Sequence, residues 1–257
     1  MYYTQQKIKH KAPFLLVLVA LSLLLAACGG SETTNSSAGK TGNGAPTRGA
    51  RAANGQPLGN GPIVYVAMGA SDAVGVGSTQ PGSQGYVPLL AGHLPKGSHV
   101  VNLGISGIRL HEAMQKELPV ALSVGPKLIT IWLVANDFVG GVSYDSYMQD
   151  LDSLLKQLHG GTQAKIVMAN LPDLTLLPAL SHSSAAKKAQ VSGEIQRWNT
   201  RIAALANQYG VTQVDLYSHK SQLTAHPEYV SGDGFHPSPA GYVQLANYFL
   251  TAINDQH

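Results

Sequence analysis

Apolar residues fall in two alternating patterns along this chain. Short β-branched runs at Ile63–Met68, His99–Leu103, Lys127–Val134, Ala164–Ala169 and Val211–Leu216 predict five strands, apolar enough to be buried on both faces. Between them, apolar positions recur at three- and four-residue steps, the period of one helix face. The clearest case is Tyr144–His159, where Tyr144, Tyr147, Met148, Leu151, Leu154, Leu155 and Leu158 share a stripe, Ser143 can cap the start and Gly160-Gly161 the end. A second helix lies within Ala185–Tyr209, with Ile195, Trp198, Ile202, Leu205 and Tyr209 on one face and Gly210 as its stop. The last begins at Ser238, a capping residue followed by Pro239, and runs to about Ile253.

Strands that alternate with helices through short turns imply a parallel sheet covered on both faces. The expectation is therefore an α/β fold: a three-layer α/β/α sandwich around a five-stranded parallel sheet, in flavodoxin-like order. This domain occupies residues 61–257.

The first 60 residues read differently. Lys7, Lys9 and Lys11 precede an apolar stretch from Phe14 to Ala27, too short for a spanning helix, which needs about 20 apolar residues. A secretory signal over residues 1–27 is expected. It ends Leu25-Ala26-Ala27-Cys28-Gly29, which resembles the lipobox of bacterial lipoproteins. That resemblance implies lipidation at Cys28 and a membrane anchor on the extracytoplasmic side. Residues 28–60 are rich in Gly, Ser, Thr, Asn and Ala and read as a flexible tether.

This division changes the meaning of the charge. The whole chain is formally +3, but the first 60 residues hold six Lys/Arg and one acid. The body is thus weakly acidic and has no basic run, which argues against nucleic acid as a partner. Cys28 is the only cysteine, so an intrachain disulfide and a thiolate metal cluster are both excluded. Histidines recur at no ligand spacing, and the glycines at 69, 75 and 77 form neither Gly-x-Gly-x-x-Gly nor a Gly-Lys-Ser/Thr ending. Neither a metal nor an organic cofactor is expected, and the domain reads as a monomer.

Candidate chemistry sits where strands end. Ser71 follows the first strand, Gly104 the second and Asn136 the third, so in a parallel sheet their turns share one edge. Ser71 reads as a nucleophile. Near the C-terminus, Asp233-Gly234-Phe235-His236-Pro237 spaces an acid and an imidazole so that one ring nitrogen can meet the carboxylate while the other faces outward. The N–H groups of Ser71 and Gly104 and the Asn136 amide can hold a developing oxyanion. Asp72 reads as a helix-start acid.

These four blocks together resemble the SGNH, or GDSL-type, hydrolase superfamily. Gly69-Ala70-Ser71-Asp72 is similar to its first block, Asn102 to Gly107 to the glycine block, Val134-Ala135-Asn136-Asp137 to the asparagine block, and Asp233-Gly234-Phe235-His236 to the Asp-x-x-His block. The resemblance implies ester hydrolysis through an acyl-enzyme on Ser71, with His236 as base, Asp233 as its orienting acid, and no cofactor. Lipid, short-chain and carbohydrate acyl esters all suit such a site. Transfer of the acyl group to another hydroxyl would use the same residues, and a surface binding module could keep the fold without turnover. Two positions depart from the pattern: Ala70 replaces the usual Asp, and Val134 the usual Gly, which should narrow the pocket beside Asn136. The leucine-rich loop Leu171–Leu180 ends on the same edge. It should either cover the sheet or line an acyl pocket.

Overall fold

The protein is described by a computed structural model covering residues 58–255. The expected signal segment, Cys28 and the tether up to residue 57 lie outside the described residues. In chain order the elements are β1 (Val64–Gly69), α1 (Ser71–Val74), α2 (Pro81–Gln84), α3 (Tyr86–Ala91), β2 (His99–Asn102), α4 (Leu110–Lys116), α5 (Leu118–Ser123), β3 (Leu128–Trp132), α6 (Ala135–Val139), α7 (Tyr144–Gly161), β4 (Lys165–Ala169), α8 (Ala185–Gln208), β5 (Thr212–Val214), α9 (Lys220–Ala225) and α10 (Pro239–Asn254).

The five strands are all parallel, in the order β2-β1-β3-β4-β5. This is the flavodoxin-like arrangement expected from the alternation. Strand order reverses at β1, between β2 and β3, and a crevice beyond the strand ends at such a switch point is where open α/β sheets place ligands.

Alternation along β1 sends neighbouring residues into different layers. Val66 and Met68 join a core with Leu151 and Leu155 of α7 and Trp198 and Ile202 of α8. Tyr65 and Ala67 join the opposite core, with Tyr86 and Leu90 of α3 and Tyr242 and Phe249 of α10. Tyr86 and Phe249 stack with ring centres 5.1 Å apart, tying α3 to α10. On the other face Trp198 stacks on Tyr147 at 4.7 Å, tying α8 to α7.

The caps read from sequence form as hydrogen bonds. Ser143 Oγ accepts from Ser146 N–H and Ser238 Oγ from Gly241 N–H, each at 3.2 Å, and the structure adds a cap on α8, where Ser184 Oγ accepts from Lys187 N–H at 3.2 Å. Boundaries differ where apolar character outlasts strand pairing. β3 stops at Trp132, and Leu133 and Val134 turn directly into α6. β5 is only three residues long, because Leu216 N–H is held by Asn170 Oδ1 at 2.8 Å rather than by a strand. α7 runs through both expected stop glycines to Gly161.

The leucine-rich loop after β4 divides its roles. Leu171, Leu174 and Leu177 are buried, whereas Leu176 is 41% exposed. Asn199 of α8 is buried beneath the loop; it accepts from Leu171 N–H at 3.0 Å and donates to Leu171 C=O at 2.8 Å. A non-helical backbone needs such partners when it is taken out of water.

Candidate active site

Gly69 closes β1, and its missing side chain is what lets the chain turn. A Cβ there would lie 2.7 Å from the Ala73 Cβ, so only glycine allows α1 to fold back this tightly. Ser71 is the first residue of α1 and is buried. At that position its N–H has no intrahelical acceptor. Gly75, in the left-handed region at φ +90°, ends the helix and donates to the carbonyls of Ser71 and Asp72.

The second group arrives from 165 residues away. An antiparallel bridge between Val230 and Pro237 closes a short loop, and Ser231 N–H donates to His236 C=O at 2.8 Å across it. Inside the loop, Asp233 Oδ1 accepts from Ser231 Oγ, Phe235 N–H and His236 N–H at 2.8–2.9 Å. Asp233 Oδ2 meets His236 Nδ1 at 2.6 Å. His236 Nε2 in turn lies 2.8 Å from Ser71 Oγ. Partial burial of Asp233 works against its charge. The bonds from Phe235, His236 and Ser231 outweigh that burial and hold the carboxyl well below its usual range. An ionised carboxylate can only accept, so Nδ1 carries the ring proton and Nε2 is left to accept from the Ser71 hydroxyl. Gly77 is part of this contact: at φ +97°, a side chain there would collide with the Pro237 carbonyl.

Asn136, the second residue of α6, lines the same cavity as Ser71 and His236. One of its amide hydrogens goes to Ile108 C=O at 2.9 Å, which leaves the other free to donate. Nearby bonds fix this segment. Asp137 Oδ2 accepts from Leu110 N–H at 2.9 Å, and Arg109 Nη2 donates to Gly140 C=O at 3.1 Å. Burial raises Asp137 to about 6, although the Leu110 bond opposes it.

Gly104 differs from the expectation. Its N–H is engaged by Asn102 Oδ1 at 3.0 Å, and Asn102 Nδ2 donates to Ala73 C=O at 2.7 Å. A Cβ on Gly104 would stand 2.7 Å from the Ala73 Cβ, so the glycine is required by close packing of this loop on α1. Asn102 is thus a clamp between β2 and the serine turn, and Ser231 is a third support for Asp233. Neither role stood out in the sequence, where Asn102 is only the first residue of the glycine block and Ser231 an ordinary polar residue two positions before Asp233.

The cavity at the C-terminal end of the sheet has a volume of about 120 Å³. Ile108, Leu133, Val134, Leu174, Leu177 and Phe235 give it an apolar wall beside Ser71. Val134 therefore does stand in the pocket, as its place in the asparagine block suggested. His219, Gln222 and Gln244 supply polar atoms elsewhere in the lining. Among the described residues no group of three or more His, Cys, Asp or Glu side chains could hold a metal ion.

The sequence matches the GDSL-like Lipase/Acylhydrolase family over residues 67–244. The chain belongs to that family. It is a carboxylic ester hydrolase on an SGNH-type fold. Solved structures agree on the architecture at low identity. LAE5, an alpha/beta hydrolase enzyme from the metagenome of Lake Arreo in Spain, is 18% identical, with a TM-score of 0.63 over 79% of this chain and 100% of its own. Axe2, an acetylxylan esterase from Geobacillus stearothermophilus, is 20% identical, with a TM-score of 0.61 over 78% of this chain and 97% of its own. TesA is 22% identical, with a TM-score of 0.58 over 74% of this chain and 98% of its own. No curated protein sequence matches the chain.

Proposed function

We propose that this chain is a lipid-anchored, extracytoplasmic serine esterase that acts through an acyl-enzyme on Ser71. The observation that carries the reading is the unbroken hydrogen-bonded series Asp233–His236–Ser71, which ends in a cavity beside the free Asn136 amide hydrogen. Export and anchoring rest on the basic, apolar and cysteine-terminated N-terminus.

In the first half-reaction His236 Nε2 takes the hydroxyl proton as Ser71 Oγ bonds to the ester carbonyl carbon. The carbonyl oxygen becomes an oxyanion held by Ser71 N–H and the Asn136 amide. Gly104 N–H joins them by exchanging Asn102 Oδ1 for the oxyanion. Collapse breaks the bond to the alcohol, which leaves with the proton from His236. Water then repeats the sequence on the acyl-enzyme, with His236 as its base, and releases the acid. Asp233 keeps the ring tautomer fixed and stabilises the imidazolium in both steps.

The wall of Ile108, Leu133, Val134, Leu174 and Leu177 supports an aliphatic acyl group, whose burial contributes about 0.8 kcal/mol per methylene. Hydrolysis of a graded series of acyl esters tests the reading. The expected result is a rate that rises beyond acetyl and is lost in folded Ser71→Ala. A Ser71-independent rate, or preference for acetyl over every longer chain, would contradict it. Acyl transfer to an added alcohol without release of free acid would favour the transferase.

A further inference from the structure

Behind the serine turn lies a second pair of carboxyl groups that the ester chemistry above does not use. Glu117 stands between α4 and α5, and its backbone is fully committed to them: its N–H donates to Ala113 C=O and its carbonyl accepts from Ala121 N–H, both at 2.8 Å. Pro119, in the first turn of α5, makes the helix break here. The side chain is left to reach inward, and the residue is only 1% exposed.

Its Oε2 accepts from Gly69 N–H at 3.0 Å. Gly69 is the last residue of β1, and its carbonyl accepts from Ile105 N–H on the side facing β2. In a parallel strand the N–H of the same residue faces that side too. The β2 ladder has already ended at Asn102, opposite Ala67, so Gly69 N–H has no strand to bond. Glu117 closes this fork, two residues before Ser71. Its other oxygen, Oε1, is shut off from solvent and has no partner. Asp72 Oδ2, one residue after Ser71, is likewise buried and without a partner.

We propose that Glu117 is a positioning residue for Ser71, working as a neutral carboxylic acid that seals the β1–β2 fork and fixes the turn that carries the nucleophile. The inference rests on the reading of Ser71 as that nucleophile. A charged Glu117 would leave a bare buried oxygen next to a second acid, a costly arrangement that protonation relieves. Burial, opposed by the Gly69 bond and reinforced by Asp72, raises Glu117 to about 8. The titratable group acting on Glu117 is Asp72 on α1, itself raised by burial to about 7; around Asp72 stand Tyr86 on α3, raised by burial and then by Tyr65 on β1 and Asp72, and Tyr242 on α10, raised by burial and then by Asp72. Every one favours a neutral interior. Deprotonation of Glu117 in the alkaline range would put negative charge directly beneath the serine turn.

The test compares wild type, Glu117→Gln and Glu117→Ala. It reads kcat and KM against pH on one ester, amide exchange at Gly69, and the ¹³C carboxyl shifts of labelled glutamate. Wild type is expected to keep one glutamate protonated at neutral pH, titrating at about 8, and to lose kcat as it ionises. Glu117→Gln, which keeps an acceptor and cannot ionise, should retain kcat at neutral pH, protect Gly69 and lack the alkaline loss. Glu117→Ala should lower kcat about tenfold or more with little change in KM, and expose Gly69 to exchange. Folded Glu117→Ala with wild-type kcat, or Glu117→Gln as impaired as Glu117→Ala, would overturn the proposal. If Glu117→Ala does not fold, an unchanged alkaline limb in Glu117→Gln, or a fully ionised glutamate set in wild type at neutral pH, would overturn it equally. If no Ser71-dependent hydrolysis exists at all, the ester reading falls, while glutamate titration and Gly69 exchange still judge the state and bond of Glu117.

Discussion

At the scale of single residues, each candidate group is placed by a local device. Ser71 is set by Gly69, where the Cβ of any other residue would fall 2.7 Å from the Ala73 Cβ, and His236 by a carboxylate whose other oxygen already holds three donors. Asn136 is held at one amide hydrogen and presents the other. Asn136→Ala should therefore lower kcat by about 10²–10³, with KM and thermal stability little changed, in steady-state kinetics on an aliphatic ester. A rise in KM with kcat unchanged would instead make Asn136 a ground-state binding group. Ser71, Asn136, Asp233 and His236 were legible in the sequence because each follows a strand or sits in a turn, where a side chain must be presented rather than packed. Glu117 was not. Its partner is a backbone N–H 48 residues away, and the only sign of it is the proline that breaks the helix two residues later.

At the scale of elements, the long amphipathic helices α7, α8 and α10 and all five strands were readable from periodicity. The short helices α1 to α6 and α9 were not, because four to seven residues complete too few turns to show a period. Leu133 and Val134 show the other limit. They are as apolar as a strand, yet they belong to the turn into α6, and burial alone does not distinguish the two. The loop after β4 takes both roles open to it: Leu171 is anchored to Asn199 as a cover for the sheet, while Leu174 and Leu177 line the cavity. Leu177→Ser should shift the preferred acyl chain length, whereas Leu176→Ser, on the exposed side, should leave the profile unchanged. Profiles on a graded ester series check both. Asn199→Leu should destabilise the domain by about 1–3 kcal/mol in urea unfolding, since Leu171 then keeps two buried backbone groups without partners.

At the scale of the whole molecule, the cavity lies over the C-terminal edge of the sheet, where four separate segments converge, and acids of opposite behaviour meet beneath and beside it. Asp233 is depressed, so its contribution to stability is present above the usual carboxylate value of 3.8 and is lost only in strong acid. Asp72 and Glu117 are raised to about 7 and about 8. Between their ordinary values and these, the unfolded chain binds fewer protons than the folded one, so stability falls as pH rises through this window. The melting temperature should therefore peak in mildly acidic solution and decline from about pH 5 to pH 8. Glu117→Gln should flatten that decline, and calorimetry across the range reads it directly.

The account depends on a Ser71 oxygen made reactive by an imidazole that reaches it from the far end of the domain. Reaction with a fluorophosphonate, followed by peptide mass spectrometry, examines this without assuming any substrate. A single adduct on Ser71 is predicted, formed rapidly in the wild type and slowly or not at all in folded His236→Ala. A folded wild type that stays unmodified, or an adduct on a different serine, would contradict it.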